Sequence, residues 1–134
     1  MYELLANKYT GKVINFQGAR VRCLIETNQN GKTVQVWICL RDVKDAIGTA
    51  TQISQFAQTI YRYVSGEQAE IRTIRATYSL FPGIPDMACN QHVKFSTMEG
   101  VFKVLEKTRA NSQAAKELTI LINQSFPAET PAAA

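Results

Sequence analysis

The sequence has little of what catalytic and metal-binding sites are built from. Its 134 residues include one histidine, His92, and three cysteines. It has no nucleophile elbow, no phosphate-binding glycine loop and no cluster of metal ligands. Cys89 and His92 have the Cys-x-x-His spacing of half a zinc site, but no second half accompanies them. The sequence therefore predicts a protein that is not an enzyme, with no catalytic residues, no metal and no cofactor.

Other absences concern the environment of the protein. Three widely spaced cysteines do not form a disulfide framework, and Cys23 and Cys39 fall in apolar strand patterns where cysteine acts as a small buried hydrophobe. No apolar run approaches the roughly 18 residues of a membrane span. The amino terminus lacks the basic start and apolar centre of a secretory signal. We expect a soluble protein that stays where it is made, with no membrane partner.

The composition fits one compact domain. Apolar residues make up 46% of the chain, which is enough for an adequate core at this length. The formal net charge is +4, and this mild excess is compatible with a nucleic-acid partner without establishing one.

Residues 19–40 have the pattern of a β-hairpin. Apolar and polar positions alternate over residues 19–27 and again over residues 33–40. The turn signal Asn28-Gln29-Asn30-Gly31 separates them, because asparagine and glycine accept positive φ. We expect Val34 and Leu40 on the core face of the second strand. Short strands are also expected at 13–16 and 92–95, with a less regular one within 70–79.

Helices account for most of the remaining pattern. We expect one at 42–46 with Asp42 near its amino end and Gly48 as its stop, and one near 51–64 capped by Thr49 or Thr51. Two more are expected at 96–107, with a Ser96–Glu99 capping box, and from about 111 to 126. The predicted fold is a single α+β domain over 1–127, in which a small antiparallel sheet with a hairpin at about 19–40 packs against several helices. Residues 128–134 are expected to be disordered.

Two strand-to-helix junctions lie far apart and follow a recognisable order. The first junction begins with an aromatic residue and a Val-Arg strand. A strand led by an aromatic residue follows and runs into Asp-Val and a helix that ends in glycine. In chain order these are Phe16, Val21-Arg22, Trp37, Asp42-Val43 and Ile47-Gly48. The second junction follows later in the chain. It has a strand, a glycine-bearing helix start, a leucine, a basic turn, an Ala-Lys pair and a final proline. These are Phe95-Ser96, Glu99-Gly100, Leu105, Lys107-Thr108-Arg109, Ala115-Lys116 and Phe126-Pro127.

This order resembles the Bro N-terminal domain of phage antirepressors and large DNA viruses over about residues 13–127. The order and spacing of a dozen features carry the resemblance, since each motif alone is common. The chain departs from the family at Leu121, where a tryptophan is usual, and the segment before Pro127 is about one residue short. Residues 50–92 have little family signature.

The resemblance implies a phage or prophage transcriptional regulator or antirepressor in the bacterial cytoplasm that binds duplex DNA without a cofactor. A homodimer would suit paired half-sites. Basic side chains are the candidate phosphate contacts. They are Arg20, Arg22, Lys32, Arg41, Lys44, Lys103, Lys107, Arg109 and Lys116. For any one of these residues a solvated surface charge is the favoured interpretation, and only clustering on one face would overturn it.

An alternative function is a protein-binding antirepressor that captures a phage repressor and never contacts DNA. Its surface would be the glutamine stripe Gln52, Gln55 and Gln58, or apolar groups on the last helix. A third possibility is an inert remnant of a longer antirepressor. Trp37 is expected to be buried packing rather than a base-stacking surface. Asp42 is expected to provide helix-start charge in a solvated position.

Overall fold

The computed structural model describes residues 7–49, 51–64, 70–77, 80–81, 91–108 and 112–126. The described elements, in chain order, are β1 (Lys8–Phe16), β2 (Ala19–Thr27), β3 (Thr33–Cys39), α1 (Leu40–Ile47), α2 (Ile53–Tyr63), β4 (Ile71–Ala76), β5 (Gln91–Thr97), α3 (Met98–Lys107) and α4 (Ser112–Ser125). The strands form one antiparallel sheet in the order β1-β2-β3-β5-β4. The predicted α+β domain with its hairpin is confirmed. None of the described helices is long and apolar enough to cross a bilayer.

Turn residues set the register of the two consecutive hairpins. Gln17 and Gly18 both have positive φ, 51° and 89°, as a two-residue hairpin loop requires. In the next turn, the Asn28 side chain accepts hydrogen bonds from the backbone N–H groups of Asn30 and Lys32. Asn28 therefore serves the turn, and the hairpin predicted from the sequence is formed by β2 and β3.

One face of the sheet packs against the helices. This main core joins strand residues such as Ile14, Val21 and Ile38 to helix residues such as Val43 and Leu118, all nearly inaccessible to solvent. α1 follows β3 without a linker and ends at Gly48 in the left-handed conformation, with φ 65°. The glycine stop predicted at this position is confirmed. The direct junction fixes α1 against the sheet.

The opposite face of the sheet carries a second core cluster. Leu24, Trp37, Phe81, Val93 and Phe95 pack together there. Trp37 is only 1% exposed, so its predicted burial is confirmed. With strands buried on both faces, a polar residue within the sheet needs a specific partner.

Glu26 is one such polar residue on the second face. Its carboxylate accepts hydrogen bonds from Trp37 Nε1 (2.9 Å) and Asn7 (2.8 Å). The Arg72 guanidinium lies 3.4 Å from Glu26 and 4.3 Å from the centre of the Trp37 ring. Burial opposes ionisation of Glu26, but these hydrogen bonds and the Arg72 charge outweigh it and lower its pKa.

Three local expectations are wrong. Thr97 rather than Ser96 caps α3, its hydroxyl accepting from Gly100 N (3.2 Å), because β5 stays paired as far as Thr97 and the helix begins at Met98. α2 begins after Gln52, whose N–H donates to the Gln55 side chain, so neither predicted threonine caps it. Val34 is 48% exposed because it lies near the hairpin tip, away from the helices.

Gly11 of β1 provides a test of the second face. A Cβ at this position would overlap the Leu80 carbonyl oxygen and lie 2.8 Å from the carbonyl carbon. Because both partners are backbone, Gly11→Ala is expected to destabilise the fold by about 1–3 kcal/mol through overpacking. Urea unfolding measures this, with Thr10→Ala at the neighbouring exposed position as control. Equal stability of the two variants would show that the 80–81 segment does not pack on β1.

Candidate nucleic-acid interface

Arg22 is buried, so the expectation that it is an exposed phosphate contact is wrong. The residue is 2% exposed although its position on β2 is on the polar side of the strand pattern. Its Nε lies 2.7 Å from Asp42 Oδ2 and its Nη2 lies 3.0 Å from Oδ1. Asp42 Oδ2 also accepts from the Arg22 backbone N–H (2.9 Å). Arg22 is committed to a bidentate ion pair that joins β2 to α1.

Asp42 is therefore a buried structural carboxylate. It is only 3% exposed, so the expectation of a solvated position is wrong. Burial opposes the charge of Arg22, but hydrogen bonding to Asp42 and attraction to Cys39 and Asp42 raise its pKa. The same surroundings act on Cys39. Burial and the nearby Asp42 charge raise the pKa of its thiol to about 12. A buried thiol with a raised pKa is a weak nucleophile.

The other sequence-predicted cations are distributed over several surfaces. Lys103 pairs with Glu106 at 3.0 Å, and Lys107 lies 4.4 Å from the Tyr63 ring centre. The remaining described candidates lie on β2, at the hairpin tip, on α1 and on α4: Arg20, Lys32, Arg41, Lys44 and Lys116. Arg109 lies outside the described residues. The list as a whole does not define one binding face.

A more coherent group forms around Arg41. Arg75 of β4 and His92 of β5 are directly opposite each other in the antiparallel register, and Lys94 follows His92 on the same face of β5. Directly opposed side chains lie about 5 Å apart at Cβ, and diagonal ones about 7–8 Å apart. Arg41, Arg75, His92 and Lys94 are all exposed. We call these four residues the basic patch.

A shallow cavity of about 250 Å³ lies within the basic patch. Arg41, His92 and Lys94 line it together with Val93 and the first two residues of α2, Ile53 and Ser54. The first backbone N–H groups of a helix carry partial positive charge and lack intrahelical acceptors. The cavity thus combines the charges of Arg41 and Lys94 and the His92 imidazole with the positive end of an 11-residue helix. This arrangement is chemically suited to an oxyanion.

The charges of the basic patch are not neutralised by the described part of the chain. Within it, no carboxylate forms an ion pair with any of the four side chains. Asp45 lies one helical turn after Arg41 and points to solvent. Arg75 and Lys94 are diagonal neighbours on the two strands, and their like charges repel each other. A bound anion would relieve that repulsion.

The sequence identified only one member of the patch. The sequence predicts a strand at 92–95, and the alternation along it indicates that His92 and Lys94 are on one face. β4 lacks a clear apolar period, and its register against β5 is a tertiary property. The position of Arg75 opposite His92 was therefore not accessible from the sequence.

The predicted protein-binding residues are also at the surface. Gln52, Gln55 and Gln58 are exposed on or beside α2. The Gln55 side chain is used locally, accepting from Gln52 N (3.1 Å) at the helix start. A partner surface formed by this stripe stays a prediction.

Comparison with known proteins adds no assignment. A scan against protein-family models, a search of curated proteins and a search of solved structures each found no match. The resemblance to Bro N-terminal domains therefore rests on the order of sequence features, and the candidate site rests on the geometry of the basic patch.

Proposed function

We propose that this protein binds duplex DNA through the basic patch, as a small regulator of the kind that the Bro N-terminal resemblance implies. The observation that carries the proposal is the grouping of Arg41, Arg75, His92 and Lys94 on one exposed surface without a neutralising carboxylate among the described residues. Phosphate contacts from such groups supply most of the affinity of non-specific DNA binding.

The chemistry of the patch favours a nucleic-acid backbone over bases. Proteins that hold single strands place exposed aromatic rings beside a basic groove, because bases stack on them. Among the residues that the structure describes, no phenylalanine, tyrosine or tryptophan lines the cavity in the basic patch. Trp37 is buried on the opposite face of the sheet. These features support binding to the sugar–phosphate surface of a duplex.

Two strands at the sheet edge and two helices define how the duplex would be held. Arg75, His92 and Lys94 lie on β4 and β5, and β4 is at the edge of the sheet that the described strands form. Arg41 projects from α1 beside the first turn of α2. Phosphates would thus meet the rim formed by the sheet edge and two helices, with one phosphate able to reach the cavity. Ser54 adds a hydroxyl to this surface.

Salt dependence tests this proposal. The permanent charges of Arg41, Arg75 and Lys94 supply the three predicted phosphate contacts. Three phosphate contacts predict that log Kobs falls with log salt at a slope of about −2.7, an affinity loss of about fortyfold between about 50 and 200 mM salt. Fluorescence anisotropy with a labelled duplex of arbitrary sequence measures it. Absence of binding at the lowest salt would reject the proposal.

A further inference from the structure

The last helix carries an exposed apolar side chain beside an apolar groove. Ile120 of α4 is 57% exposed. It lies at the edge of a groove of about 740 Å³ between α3 and α4, whose other lining residues are Phe102, Leu105, Glu106, Thr108, Lys116, Thr119 and Asn123. We call this surface the α3–α4 groove. On its other side, Ile120 borders a second hollow with Phe16 and Leu121.

From this surface we infer that two copies of the chain associate through the α3–α4 groove, with Ile120 beside the two-fold axis. A symmetric dimer uses the same patch on both subunits, so the patch must carry both the projecting group and the recess that receives it. Ile120 and the groove next to it meet that requirement. Each Ile120 side chain would enter the groove of the other copy.

The charges along α4 favour a second copy as the occupant. Around Ile120, the neighbouring surface positions at helical spacing are Lys116, Glu117, Asn123 and Gln124. In an antiparallel pair of α4 helices centred on Ile120, residues equidistant from the centre face each other. Lys116 would then oppose Gln124, and Glu117 would oppose Asn123. Among these four positions no like charges meet, and each of the two charges faces an amide.

The existing contacts leave these groups available for a partner. Glu117 accepts hydrogen bonds only from uncharged amides in the described chain, those of Gln17 (2.6 Å) and Gln113 (3.1 Å). The Lys116 side chain is exposed and makes no ion pair with a described carboxylate. The inference is independent of DNA binding, since no member of the basic patch lines the α3–α4 groove.

Sedimentation equilibrium of the full chain tests the dimer, from low micromolar to several hundred micromolar protein. The wild type is expected to show a monomer–dimer equilibrium. Ile120→Lys is expected to raise the dimer dissociation constant more than about tenfold, as for a central interface residue. Tyr61→Lys is the matched control, because Tyr61 is 61% exposed on α2 and lies outside the groove. It should associate like the wild type.

A mixing experiment tests the two-fold arrangement. Ile120→Lys and Ile120→Glu should each be monomeric alone, since like charges would meet near the axis. Their equimolar mixture should recover association, because Lys and Glu then face each other. The inference is overturned by a wild type that stays monomeric throughout, by an Ile120→Lys variant that associates normally, or by a mixture that stays monomeric. Circular dichroism verifies that each variant is folded.

Discussion

Replacing Asp42 with alanine is expected to lower the free energy of unfolding by about 3–5 kcal/mol, the cost of leaving a buried charge without its partner. The Arg22 guanidinium is almost inaccessible and makes two of its hydrogen bonds to the Asp42 carboxylate. Removal of the carboxylate also deprives the Arg22 backbone N–H of its acceptor. Chemical denaturation measured at neutral pH gives the loss directly.

Two further variants separate the ion pair from general effects on α1. Asp45→Ala changes an exposed carboxylate on the same helix and should shift stability by no more than about 0.5 kcal/mol. The double variant Arg22→Met/Asp42→Leu removes both charges and should be more stable than Asp42→Ala, because apolar groups of similar volume can replace a buried pair. An Asp42→Ala variant as stable as Asp45→Ala would contradict the assigned role.

The second large effect concerns DNA binding. Replacing Arg41, Arg75 and Lys94 together with glutamine is expected to weaken binding to generic duplex by about two to three orders of magnitude at about 100 mM salt, since three phosphate contacts are lost. These side chains are exposed and form no described ion pair, so the fold should be retained. Fluorescence anisotropy measures the affinity, and thermal unfolding verifies the fold.

The control is a triple variant with the same change in net charge. Lys32, Lys103 and Lys107 lie at the hairpin tip and on α3, outside the basic patch. Their joint replacement by glutamine should reduce the affinity by less than about tenfold, through the loss of general attraction alone. If this variant loses binding and the patch variant retains it, the DNA-binding surface lies on the side of the hairpin and α3.

Much of the fold could be predicted because its signals are local. The Asn28–Gly31 turn, the alternation around it and the glycine stop at Gly48 act within a few residues, and the structure confirms each of them. The error at the start of α3 has a tertiary origin. Whether Ser96 or Thr97 caps α3 depends on how far β5 stays paired with β3, which the local sequence does not specify.

The burial of Arg22 could not be predicted from the alternation of apolar and polar residues along β2. Period-two alternation places it on the polar face of β2, and that face would be solvated in a sheet covered on one side only. Here a second cluster around Trp37 covers the face of the sheet that is opposite to the main core. The carboxylate that pairs with Arg22 belongs to Asp42, twenty residues later in the chain. A buried pair of this kind needs the tertiary arrangement of β2 and α1 to be known.

The basic patch was missed for a similar reason. Its members come from α1, β4 and β5, and only Arg41 was recognised as a candidate. The register that sets Arg75 opposite His92 joins strands separated by a long connection. The position of Arg41 beside them follows from the packing of α1 next to β5. Charge clustering is thus a property of the fold rather than of any segment.

The most direct test of DNA binding through the basic patch compares the salt dependence of binding between the Arg41→Gln/Arg75→Gln/Lys94→Gln variant and the wild type. If the basic patch contacts the phosphates, the slope of log Kobs against log salt becomes shallower by about 2.7, the contribution of three released contacts. An unchanged slope in the folded variant would mean that the phosphates are held elsewhere on the protein and would contradict the assignment.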